Sequence, residues 1–163
     1  MQLKQALNAA VERLTLAQAP SPRMNAELLI MFTLDCDRAY LYAHPERDLT
    51  EDEVARYDAA LTRRATGVPA QYITGHQEFW GLDLIVSLAV LIPRPETEHV
   101  VEAVLELAAT CGTGEPHKLR LVDVGTGSGA IALALAQELP RAEIEATDIS
   151  EEALDSSREC GSV

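Results

Sequence analysis

Cysteine and histidine are scarce in this chain, and their scarcity removes whole classes of chemistry. The three cysteines, Cys36, Cys111 and Cys160, stand far apart, so they form no Cys-x-x-Cys pair and no disulfide framework. The four histidines, His44, His76, His99 and His117, are isolated and lack metal-ligand spacing. Each reads as a surface or packing residue. Long apolar runs are missing too. The longest, LLIMFTL, is far too short to span a bilayer. The N-terminus, MQLKQALNAAVERL, is charged and amphipathic, without the apolar centre of a signal peptide. These absences predict a cytoplasmic protein with no membrane partner. Internal repeats and low-complexity segments are absent as well.

Positive charge is short in one half only. Residues 1 to 75 carry 8 Lys and Arg against 10 Asp and Glu, a balance of −2. Residues 76 to 163 carry 5 against 16, a balance of −11. A non-specific grip on nucleic acid needs Lys and Arg to neutralise phosphate, so direct nucleic-acid binding is not expected. The acidic half reads first as solvated faces, and it leaves room for a cationic ligand or a basic partner. What remains is the composition of an ordinary globular protein. The 163 residues, 47% hydrophobic and 24% charged, suffice for one domain, or for a small domain plus part of another.

Periodicity divides the chain near Gly75. Leu3, Leu7, Val11 and Leu14 recur at helical spacing. Ser21 followed by Pro22 is an N-cap and first-turn pair for a second helix through AELLIMFTL. DRAYLYAHP predicts a short third helix stopped by Pro45. Thr50 and Glu53 form a capping box for a fourth helix, which ends at Gly67. Residues 1 to 75 therefore read as a small helical bundle. EFWGLDLIVSLAVLI is aromatic and β-branched with a central glycine, which predicts a β-hairpin or two short strands. Pro93 and Pro95 keep IPRPETE extended, and Glu96 to Leu107 supply helical periodicity. CGTGEPHK is a loop. LRLVDV, GAIALALAQEL and AEIEATDIS then read as strand, helix and strand, one βαβ unit with a parallel sheet.

The turn inside that unit, DVGTGSGA, carries the chemistry. It joins the C-terminal end of a strand to a helix N-terminus, where ligands of open α/β sheets sit. Gly125, Gly127 and Gly129 let backbone approach a ligand and adopt positive φ. Asp148 ends the next strand, 19 residues after Gly129, and a carboxylate there can accept both hydroxyls of a ribose. The turn also satisfies the looser dinucleotide fingerprint G-x-G-x-x-A through Gly125, Gly127 and Ala130. Asp123 tips the choice. A fixed negative charge at the strand mouth disfavours a pyrophosphate and favours an ammonium or sulfonium group. S-adenosyl-L-methionine carries both cations and no phosphate, so it is preferred over NAD.

The run VLIPRPETE, followed by LVDVGTGSGAIALALA and ATDISEEAL, closely resembles the HemK/PrmC family of peptide chain release factor glutamine N5-methyltransferases. RRATGVPAQYITGHQEFWGLDLIVS is similar to that family's junction between a helical domain and a hairpin. The resemblance runs from about Ser21 to about Leu154, and IPRPETE is its most specific part. It implies an α+β chain in three parts. Residues 1–75 would be a helical substrate-docking domain and residues 76–93 a β-hairpin linker. Residues 94–163 would be a partial methyltransferase domain, the first βαβ unit of a class I, Rossmann-like, S-adenosylmethionine-dependent fold. It also implies methylation of the glutamine in the Gly-Gly-Gln loop of class I release factors. The stretch Gly125, Thr126, Gly127, Ser128 and Gly129 would cradle the cofactor's methionine part. Asp148 would hold the ribose, and Asp123 would lie near the amino or sulfonium end. Arg94, Glu96 and Thr97 fit two readings equally, a wall over the cofactor pocket or a capping and linker role.

The resemblance has a gap. The family's amide chemistry falls to an Asn-Pro-Pro-Tyr motif, and residues 1–163 contain none. Asn8 and Asn25 are the only asparagines. No catalytic residue is therefore assigned. The family's sheet has seven strands, of which this sequence supplies two; in DSSRECGSV, Ser157 and Arg158 still fit the helix that follows in relatives, whereas Cys160, Gly161 and Val163 do not look like its continuation. The expectation is a shortened N-terminal portion, inactive by itself. Two further readings stay open: a non-catalytic module that binds release factors, and a nicotinamide-dependent enzyme on the same βαβ unit. A nucleic-acid adenine methyltransferase shares related motifs, and the acidic balance weighs against it.

Overall fold

The computed structural model describes residues 1–111 and 119–161, with the backbone alone at Cys111. Of the expected loop over 111–118, Cys111 is helical instead; residues 112–118, with His117, and the last two residues lie outside the described residues. The chain divides into two compact units, Met1–Thr74 and Gly75–Val163.

The first unit is built of helices, with one isolated antiparallel bridge between Gln2 and Asp48. It contains α1 (Leu3–Leu16), α2 (Pro22–Leu34), α3 (Arg38–Ala43), α4 (Glu51–Ala65) and α5 (Ala70–Thr74). Its core is the apolar stripe that periodicity marks on α1, joined by α2 and α4. Leu3, Leu14, Leu29 and Ile30 are fully buried, and Tyr57 and Leu61 pack with them. Each such side chain contributes roughly 1.5–3 kcal/mol on leaving water. The capping box at α4 is present: the Glu53 amide donates to Thr50 Oγ1 at 3.2 Å, and the Thr50 amide donates to Glu53 Oε2 at 2.9 Å. Arg47 donates to the same Glu53 carboxylate at 2.7 Å. Gly67 stops the helix in the left-handed region, at φ +98°.

Two local expectations need correction here. Helix α2 begins at Pro22, yet Ser21 does not cap it with its side chain. A residue before proline is steered out of the right-handed helical region, and Ser21 settles at φ +45° rather than in the extended conformation of a cap. The Asn25 amide group instead donates to the carbonyls of Pro20 and Ser21, at 2.7 and 3.1 Å. Helix α5 was not expected at all; five residues are too few for a helical period to show.

The second unit opens with an antiparallel hairpin, β1 (His76–Phe79) and β2 (Leu82–Ile85), in the register His76 to Ile85. The hairpin starts at the first residue of the expected 76–93 linker and is shorter than EFWGLDLIVSLAVLI suggested, ending at Ile85. Trp80 and Gly81 form its two-residue turn at φ +54° and +75°, and that turn fixes the pairing. Beyond Ile85 the chain leaves the sheet, with Leu88 and Leu91 exposed. A 3₁₀ turn, Pro95–Thr97, leads into α6 (Glu98–Cys111), so the α-helix starts two residues after Glu96.

The βαβ unit follows as read: β3 (Arg120–Val124), α7 (Ala130–Glu138) and β4 (Glu143–Thr147), with α8 (Glu151–Cys160) beyond it. The strands are parallel, and Asp123 pairs with Ala146 and Val124 with Thr147. Phe79, Leu84, Val101, Ala130, Ala134 and Leu135 form the core that joins hairpin, α6 and α7. One side of the sheet is open. Val122 and Val124 on β3, and Ile149 after β4, are exposed. This is an α+β arrangement whose last part is one Rossmann-like βαβ unit. Among the described residues no helix is long and apolar enough to cross a membrane.

Candidate functional site

The glycine turn sits at the carboxyl edge of the β3–β4 pair. Strand β3 ends at Val124, one residue past Asp123, and β4 ends at Thr147, one residue before Asp148. The parallel register therefore puts both acidic residues at the same edge. Gly125, Gly127 and Gly129 take φ of +81°, +55° and +82°, a region where a Cβ is costly.

The three glycines serve different ends. A Cβ added at Gly125 or Gly127 meets nothing within 4 Å, so their backbone faces open space. A Cβ at Gly129 would lie 3.0 Å from the Ser157 Cβ and 3.1 Å from a Leu133 methyl. Gly129 therefore allows α8 to approach the start of α7. Ser128 is also turned inward and buried.

The turn's amides are engaged within the protein. Gly125 and Thr126 both donate to the Thr147 carbonyl, at 2.8 and 3.0 Å, and Gly129 donates to the Thr126 carbonyl at 2.9 Å. Gly127 donates to Asp148 Oδ2 at 2.9 Å. The other Asp148 oxygen accepts from the Ser150 amide at 2.9 Å. The Ser150 and Gly127 amides hold the Asp148 carboxyl below its ordinary value of 3.8, with a further amide from Ile149. Asp148 is thus an anchored anion. Asp123 is held too: the buried Thr126 hydroxyl donates to its Oδ2 at 2.8 Å.

This arrangement suits a ligand with hydroxyls and a cation better than one with phosphates. A phosphate cradle needs turn amides free to point at the ligand. Here four are already donating, and two carboxylates border the space. The open backbone at Gly125 and Gly127 and the donor set of Asp123 and Asp148 fit S-adenosylmethionine on those grounds.

Sequence reasoning named Asp123, Asp148 and the glycine stretch, and the structure brings them to one edge. It missed Thr147, whose carbonyl gathers two amides, because a backbone acceptor leaves no trace in residue type. It also missed Ser150. The Asp-x-Ser order was the available signal, since Asp readily accepts the amide two residues on. Arg94 and Glu96 are exposed, and the Thr97 amide donates to the Arg94 carbonyl at 2.9 Å, closing the 3₁₀ turn.

Comparison with known proteins shows what the two units are similar to. A family model described as PrmC N-terminal domain matches residues 5–75, and one described as Methyltransferase small domain matches residues 105–162. A protein of Koribacter versatilis named release factor glutamine methyltransferase is 62% identical over 156 residues, covering 94% of this chain and 53% of its own length. Its namesake in Moorella thermoacetica is 49% identical over 154 residues, with the same shares. The namesake in Vibrio cholerae is 43% identical over 157 residues, covering 96% of this chain and 53% of its own. The chain spans about half the length of the curated relatives it matches. Both matched domains, and these relatives along nearly all of the chain's residues, bear out its resemblance to the HemK/PrmC family.

Proposed function

We propose that this chain supplies the docking and cofactor-binding portions of a cytoplasmic enzyme that methylates N5 of the glutamine in the Gly-Gly-Gln loop of class I release factors. The single observation that carries the cofactor choice is the engagement of the turn amides beside two anchored carboxylates. S-adenosylmethionine, when bound, supplies an electrophilic methyl group. The chain's own residues would bind and orient it. Gly125 and Gly127 offer bare backbone, Asp148 accepts from the ribose hydroxyls, and Asp123 lies toward the ammonium or sulfonium charge. Residues 1–75 dock the release factor. Arg94, Glu96 and Thr97 wall the pocket.

Transfer itself needs more. An amide nitrogen is a poor nucleophile, because its lone pair is delocalised into the carbonyl. It must be held in line with the departing sulfur while the rehybridised amide is stabilised. Residues 1–163 contain no Asn-Pro-Pro-Tyr for that task. The 163-residue chain by itself therefore binds without transferring.

Calorimetry on this chain tests the reading. S-adenosylmethionine should bind, Asp148→Ala should abolish binding, and NADH should give no heat. With a release factor and radiolabelled cofactor, no label should move to protein. Binding of NADH in preference to S-adenosylmethionine would return the nicotinamide reading to first place. Label transfer would show that the chemistry does not need the missing motif. Capture of a release factor by a variant unable to bind cofactor would favour the docking-module reading.

A further inference from the structure

The hairpin turn holds a bulky residue in a conformation that favours glycine. Trp80 sits at φ +54°, while its neighbour Gly81 at +75° pays no such steric penalty. Such strain persists only where the surroundings over-determine it. Here they do, through three glutamate acceptors and an apolar seat for the ring. The Trp80 amide donates to Glu98 Oε1 at 3.1 Å. Its indole Nε1–H donates to Glu138 Oε1 at 2.9 Å. The Gly81 amide donates to Glu78 Oε1 at 2.7 Å. The ring itself packs on the core of Phe79, Leu84, Val101 and Leu135.

The two distant glutamates occupy telling places. Glu98 is the first residue of α6 and directly follows the Arg94–Thr97 segment. Glu138 is the last residue of α7, the helix that begins at the glycine turn. One side chain and its own amide therefore tie the start of one helix to the end of the other. A backbone amide and an indole N–H give two separate, charge-assisted attachments at fixed geometry.

We infer that Trp80 is a positioning residue: by bridging Glu98 and Glu138 it fixes the Arg94–Thr97 segment relative to the helix that carries the glycine turn. This rests on the reading of that turn as a cofactor site. Trp80 need not touch the cofactor. It sets the spacing of elements that do.

The test is amide hydrogen exchange and calorimetry on the 163-residue chain. Trp80→Phe keeps an aromatic ring and the backbone amide but removes the indole donor. Glu138→Ala removes the acceptor, and Glu138→Gln keeps an acceptor oxygen. Trp80→Phe and Glu138→Ala should each speed exchange in the first turn of α6 and the last turn of α7, with β3 unchanged. Each should weaken S-adenosylmethionine binding roughly three- to tenfold, the scale of one hydrogen bond. The double variant should be no worse than either single one, and Glu138→Gln, which keeps the acceptor without its charge, should fall between Glu138→Ala and the parent in both readouts. Unchanged exchange in α6 and α7 would overturn the clamp. Faster exchange with unaltered affinity would overturn its link to the site. If the unmodified chain binds no S-adenosylmethionine, the cofactor reading fails and takes the link with it, while exchange alone decides the clamp.

Discussion

Asp148 accepts the Gly127 amide at 2.9 Å, so the residue expected to meet a ribose also fixes the loop beside it. The two functions are one structure. Asp148→Asn keeps an acceptor oxygen but loses the charge that both amides favour. The expected outcome is at least about tenfold weaker S-adenosylmethionine binding, the scale of one charge-assisted hydrogen bond, measured by calorimetry. The pH dependence has a definite sign. A carboxyl depressed in the folded state stabilises it above the unfolded value, and that contribution is lost as pH falls through the folded value. The window therefore opens at about pH 4 and lies below it, since the folded carboxyl titrates under 3.8. Exchange of the Gly127 amide should accelerate there relative to the Gly125 amide.

Gly125 and Gly129 should separate stability from binding. Gly129→Ala meets Ser157 and Leu133 at 3.0 and 3.1 Å and also takes on a left-handed φ. The expected cost is about 2 kcal/mol or more in chemical denaturation. Gly125→Ala meets nothing and carries only the φ cost, about 1 kcal/mol. Its methyl would nevertheless stand in the space where a ligand approaches. Gly125→Ala should thus lose more affinity than stability, and Gly129→Ala the reverse. Equal losses of both kinds in the two variants would contradict the division.

Tyr57 reports on the helical unit. Its hydroxyl donates to the Ala26 carbonyl at 3.0 Å, and burial pushes the phenol up from its ordinary 10.0. Tyr57→Phe should cost about 1 kcal/mol, read from the denaturation midpoint. A raised folded value means the protonated phenol is the stabilising form. That contribution is complete below pH 10 and fades as pH rises beyond it. The phenylalanine variant should lose less stability than the parent between neutral pH and pH 11.

Limited proteolysis should find the two units unequal. The helical unit closes its core around Leu3, Leu14, Leu29 and Ile30. The β3–β4 pair leaves Val122 and Val124 exposed, and a parallel sheet is stable when both faces are covered. First cuts are expected within 119–161, with Met1–Thr74 persisting. Equal protection of both regions would refute the ranking.

Residue type and spacing were enough to read α1, the α4 capping box, the parallel βαβ unit and the acidic residues of the glycine turn. In each case the cause is local: a helical period, a side chain three residues from its amide, or a glycine where φ must be positive. Tertiary structure decided the rest. It settled that Ser21 does not cap α2, because Asn25 and Pro22 shape that turn instead. It settled that Gly129 serves helix packing, since Ser157 lies 28 positions away in sequence. It engaged the turn amides with Thr147 and Asp148, and it joined Trp80 to Glu98 and Glu138. Those outcomes depend on which distant groups the fold brings within hydrogen-bond reach, and residue order alone does not contain that distance.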